Sequence, residues 1–165
     1  MGWLSNTNNA ERQINITALE SLQAHVVAKG QLLERVRNET SEAISKLQLL
    51  TLAGVLKAPA ITNNASELGR ALGSALTELQ THAGELHSLH TETLEEAAIS
   101  DAMIENYSVP RGRRPINASG KDMAQVASAK VRMIQGELSS INGDHTHIMQ
   151  KANQTIADVT RHLNS

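Results

Sequence analysis

Apolar residues recur at alternating spacings of three and four along most of the chain, which is the pattern of an α-helix that buries one face. The three prolines, Pro59, Pro110 and Pro115, fall in two places and divide this pattern into three long segments. Proline disfavours helix in the residue before it, so each break ends a helix. We predict a polar tail, three helices and two intervening loops, which cover in chain order 1–9, 10–57, 58–64, 65–106, 107–119 and 120–163.

Each predicted helix carries a heptad seam of apolar residues, as helices that pack along their length do. Polar residues interrupt these seams: Lys29 and Thr40 in the first helix, His82 in the second and His145 in the third. The turn-like residues 142–144 also lie in the third helix, but the seam continues in phase across them. We therefore predict one unbroken helix there.

Short connections make consecutive helices antiparallel. The sequence therefore predicts an all-α fold, an elongated antiparallel three-helix bundle or coiled coil that forms a single domain over 10–163. Turns at the centres of the two loops place Thr40, His82 and His145 near one level of the bundle. Polar residues on a seam can fix helix register, so our hypothesis is a buried polar layer. The alternative is that each side chain sits at the edge of its seam and reaches solvent.

The end of the first helix is apolar on more than one face. A helix that is apolar all round must be covered on all sides, and a three-helix bundle leaves part of each helix uncovered. Two glycines four residues apart on the second helix would let another backbone approach closely. The expected interface with another subunit or protein comprises Ile44, Leu47, Leu49, Leu52, Val55, Leu56, Gly69 and Gly73. The alternative is a locally thicker core within the chain.

The composition excludes several classes of protein. The 165 residues include no cysteine, which rules out disulfide scaffolds, thiol-ligated metals and thiol catalysis. Aromatic residues make up 1% and the net charge is −2, which argues against nucleic acid as a partner. The longest apolar stretch, 47–56, is too short for a membrane span. No cleavable signal peptide is visible, so we expect a cytoplasmic protein or one assembled or exported without a cleaved signal.

The sequence predicts no enzyme activity, no cofactor and no metal. It contains no nucleophile elbow, phosphate-binding loop, dinucleotide fingerprint or Glu-x-x-His pair. Of its seven histidines, His87 and His90 are three residues apart and could share a helix face, but the interpretation we favour is that the histidines are ordinary surface residues. One charge feature stands out in the second loop, where Arg111, Arg113 and Arg114 lie between two prolines. Our hypothesis is that these arginines contact an acidic partner. The alternative is a solvated loop.

The composition is rich in Asn, Ser, Thr and Gln, lacks cysteine and is nearly free of aromatic residues. In this respect it resembles the axial proteins of bacterial export filaments and the small virion proteins of tailed phages. The resemblance concerns composition alone and assigns no residue a role. It implies a non-catalytic structural protein that assembles with copies of itself or with other proteins. The alternative function is a regulatory or adaptor bundle that binds one protein partner.

Overall fold

The computed structural model of the chain consists of three α-helices: α1, Gly2–Lys57, α2, Asn64–Ser108, and α3, Gly120–Leu163. The structure describes the backbone over 2–57, 64–108 and 120–164, and the side chains over 10–54, 67–106 and 123–164. Within these ranges the chain is all-helical, has no strand, and packs its three helices against each other. The predicted all-α class and the three-helix bundle are confirmed.

The predicted polar tail over 1–9 is replaced by helix, because α1 begins at Gly2 rather than at Ala10. The run from Leu4 to Asn9 contains neither proline nor glycine. Extending an existing helix by one residue costs little free energy, whereas nucleating a new one is costly, so nothing in this run stops the helix. The third helix also passes through 142–144 without a break, as the phase of its seam predicted.

The chain divides into two compact units, and each helix contributes one part to each unit. Unit 1 comprises residues 1–32 and 90–140, and unit 2 comprises 33–89 and 141–165. Each unit has its own apolar core drawn from the predicted seams. The buried core residues of unit 1 are Leu19, Leu22, Val26, Ala127 and Ile134. Those of unit 2 are Ala43, Leu47, Leu72, Leu79, Ala152 and Val159.

The side-chain contacts give the helix directions inside each unit. In unit 1, Gln23 contacts Asp101 and Lys29 contacts Glu96, so α1 and α2 run antiparallel. In unit 2, Arg35 contacts Asn142 and Glu39 contacts His145, so α1 and α3 run parallel. Both directions follow from an up-down-up order of the helices. Over the residues that the structure describes, no helix combines the length and the apolar character needed to cross a bilayer.

Candidate binding surface and buried polar layers

The structure divides the predicted interface residues on α1 between the core and the surface. Leu47 is fully buried in the core of unit 2, and Ile44 packs against that core, so neither presents a free face. Leu49 and Leu52 lie on the outer side of α1 and are 67 and 59% exposed. The structure thus corrects the prediction that Leu47 belongs to the interface. Leu47 lies two residues from Leu49, about 200° around the helix, and therefore faces the bundle.

The remaining predicted positions fall into two groups. Val55, Leu56 and the three loop arginines, Arg111, Arg113 and Arg114, lie outside the described side chains. Gly69 and Gly73 are exposed, and a Cβ atom added at either glycine would meet nothing within 4 Å. Among the described residues no backbone approaches these glycines closely, because both lie on the solvent side of α2 while Leu68 and Leu72 face the core.

Unit 1 contains an apolar groove between α2 and α3 that the heptad seams did not predict. Leu22 and Val26 of α1 form its floor, and Ile99 and Met133 line it while remaining 54 and 65% exposed. The groove encloses about 200 Å³. A sequence signal existed, because Met133 and Val126 are seven residues apart on a second stripe of α3, beside the main seam.

A buried ion cluster crosses the core of unit 1. Lys29 is only 1% exposed, and its Nζ contacts Glu96 Oε1 at 3.4 Å and a carboxylate oxygen of Glu137. The two glutamate side chains, 38 and 39% exposed, line the groove and still reach solvent. A buried ammonium needs such partners, because isolated charges are strongly disfavoured in a protein interior. Two carboxylates share one ammonium, so the cluster has a net charge of −1.

The sequence showed Lys29 only as an interruption of a seam. Its partners come from positions beside the seams of α2 and α3, and only the packed structure shows which side chains reach a given core position. Two buried oxygens in unit 1, Asn15 Oδ1 and Glu96 Oε2, have no hydrogen-bond partner among the described residues. Buried polar atoms are usually paired, so these two oxygens are exceptions among the described residues.

Unit 2 contains a second polar layer, which includes the residues predicted to lie at one level. Thr40, His82 and His145 are all buried. His82 Nε2 lies 3.0 Å from His145 Nδ1, and the two rings stack with their centroids 5.3 Å apart. His145 Nε2 lies 2.7 Å from Glu39 Oε2, a partner that the sequence analysis did not identify. Thr40 does not join this chain of bonds, because its hydroxyl donates to the Val36 carbonyl at 2.7 Å.

With both rings neutral, the contacts in this layer allow one order of donors. An ionised carboxylate only accepts, so His145 then donates through Nε2–H to Glu39, and its Nδ1 accepts from the Nε2–H of His82. Arg35 donates to the other Glu39 oxygen at 3.0 Å. The hydrogen bond between the rings survives one added proton but not two, because two protonated rings would set N–H against N–H.

Burial and neighbouring charges shift the pKa of two groups in this layer, His82 and Glu39. Burial is the main cause that lowers the pKa of His82, and positive charge on His145 lowers it further, while Glu85, Asp144 and Glu78 act in the opposite sense. The hydrogen bond from His145 is the main cause that lowers the pKa of Glu39, and Arg35 adds to it against the effect of burial. The layer is therefore held in the state with neutral His82 and ionised Glu39 near pH 7.

No group of three or more His, Asp or Glu side chains among the described residues could hold a metal ion. Comparison of the chain with protein-family models, with curated proteins and with solved structures found no match.

Proposed function

We propose that this chain is a non-catalytic helical structural component, which packs against other helical protein chains, copies of itself included, in a larger assembly. The observation that carries the proposal is the exposure of Leu49 and Leu52 on the outer side of α1 in unit 2. These leucines are three residues apart, so their side chains form one continuous apolar face. Single exposed apolar residues are ordinary, whereas larger contiguous apolar patches mark binding surfaces, and this pair forms the described part of such a patch.

The spacing of this face favours a helix as the partner. Leu56 follows Leu52 by four residues, so the sequence continues the stripe with the i, i+3, i+7 spacing that helices use as anchors. Covering the exposed parts of the two described leucines would contribute on the order of 2 kcal/mol, so stable association requires further contacts. The resemblance of the composition to filament and virion proteins supports the same proposal.

The test compares two double variants of the full chain. L49K/L52K puts two charges on the apolar face without touching the core. Q150K/N153K is the matched control, since it adds the same charge at the same spacing on exposed positions of α3 in unit 2. Sedimentation velocity over a concentration series measures self-association. We expect the wild type and the control to form species heavier than 17.8 kDa, and L49K/L52K to form fewer of them.

Circular dichroism of all three proteins checks that the helices are intact. The proposal fails if the wild type stays monomeric at every concentration, or if L49K/L52K associates as strongly as the control. A wild type that forms one small discrete species and nothing larger would instead favour the regulatory or adaptor function.

A further inference from the structure

We propose that the groove of unit 1 binds the same groove of a second copy of this chain, with the two copies related by a two-fold axis beside Met133. This inference rests on the proposed assembly function and identifies one surface and one partner for it. It concerns a different face from the exposed leucine pair of unit 2.

The groove offers an apolar contact that the chain itself leaves uncovered. Met133 stands 65% exposed at the groove, opposite Ile99 of α2, above a floor formed by Leu22 and Val26. Methionine is unbranched and adapts its shape to irregular gaps, so Met133 of a second copy is suited to fill the space beside Ile99. The apolar centre of a protein interface commonly has this character.

The charges along α3 are arranged symmetrically around Met133. Val126, Lys130, Met133 and Glu137 follow spacings of four, three and four, so they form one stripe of the helix. Lys130 lies on one side of Met133 and Glu137 lies on the other. Among the described residues Lys130 has no acidic partner within 4 Å, whereas Glu137 belongs to the cluster whose single ammonium leaves a net negative charge.

A two-fold axis converts this arrangement into complementary contacts. Two antiparallel copies of α3 that cross beside Met133 place Lys130 of each copy within one residue of the position opposite Glu137 of the other, which gives two equivalent intermolecular pairs. A parallel alignment would instead set like charges against each other. The pattern of the groove is therefore complementary to itself, and this selects a second copy over an unrelated helix.

The absence of cysteine from the chain allows a direct test by cross-linking. In the full-length variant Met133→Cys, the axis brings the two introduced sulfurs together. Ser128→Cys is the control, since it lies at an exposed position of the same helix, about 140° around from Met133. We expect mild oxidation of dilute protein to convert Met133→Cys into a covalent dimer and to leave Ser128→Cys monomeric. Equal cross-linking of both variants would reflect random collision and would overturn the inference.

A second test uses charge reversal. Lys130→Glu sets two glutamates against each other in both symmetric pairs, so we expect the dimer dissociation constant to rise at least tenfold. Arg132→Glu makes the same charge change on the same helix but points away from the groove, and we expect it to leave the constant within about twofold of the wild type. Equal effects of the two variants would contradict the inference.

The outcomes separate the two proposals. If the wild type associates, but Met133→Cys does not cross-link and Lys130→Glu behaves like Arg132→Glu, the groove contact is wrong and the assembly function stands. If the wild type does not associate at all, both proposals fail.

Discussion

The buried ion cluster of unit 1 leads to an asymmetric prediction about stability. The ammonium of Lys29 is almost fully removed from solvent, whereas the side chains of Glu96 and Glu137 are 38 and 39% exposed, although one oxygen of Glu96, Oε2, is buried. Removing the two acids therefore leaves a buried charge with no partner. Removing the lysine leaves two glutamates whose side chains are each more than a third exposed. Both changes delete the contacts of Lys29 with Glu96 and Glu137, but the first leaves a buried ammonium and the second leaves two partly exposed glutamates.

The magnitudes follow from this difference in burial. Stripping the partners from a buried charge costs about 3–5 kcal/mol, so we expect the double variant E96A/E137A to lose that much free energy of unfolding. Lys29→Met places an uncharged, unbranched side chain that is one atom shorter in the same position and fills most of the same space. The remaining cost is the repulsion between two partly solvated carboxylates, about 0.5–1 kcal/mol, and the removed desolvation penalty offsets it. We expect Lys29→Met to lie within about 1 kcal/mol of the wild type.

Urea unfolding at neutral pH, followed by circular dichroism at low protein concentration, measures both changes. E92A/E95A is the matched control, because it removes two exposed glutamates, both from α2, and tests for the loss of negative charge alone. If Lys29→Met were as destabilising as E96A/E137A, the ammonium would be a net source of stability, and the reasoning from burial would be wrong.

Two further predictions concern pH and helix propensity. Because the pKa of His82 is lowered in the folded chain, the unfolded chain binds a proton on this ring more readily. Part of the free energy of unfolding that is present above about pH 6.5 is therefore lost as the pH falls. The lowered pKa of Glu39 adds a further loss at more acidic pH. Urea midpoints at about pH 7.5 and 5.5 should therefore fall less in His82→Gln than in the wild type, and equal losses would contradict this account. Gly73→Ala should raise the free energy of unfolding by about 0.5–1 kcal/mol, because alanine favours helix over glycine and the added methyl group meets open space. If the same urea assay showed a destabilised variant, another group would have to occupy that space.

The sequence predicted the helices well because their signals are local. Proline positions and the 3–4 spacing identify each helix and the face that it buries, and both depend only on neighbouring residues. The antiparallel register also placed His82 near His145, and the structure brings their rings into contact. The N-terminal boundary was wrong because polar residues such as Asn8 and Asn9 are compatible with a helix that has already formed.

The features that the sequence could not supply lie beside the seams. A heptad pattern tells which side of a helix faces inward, but not how far around the helix each neighbour reaches. Glu39, Glu96 and Glu137 occupy such flanking positions, and each becomes a partner only through a neighbouring helix. The same limit explains Gly69 and Gly73, whose spacing favours close packing while their side of α2 faces solvent.

The most direct test of the assembly proposal is the molar mass of the unmodified full chain in solution, measured by light scattering behind a sizing column. Uncovered apolar helix faces predict a mass above 17.8 kDa that grows as the loading concentration rises. A constant mass of 17.8 kDa at every loading would contradict the proposal.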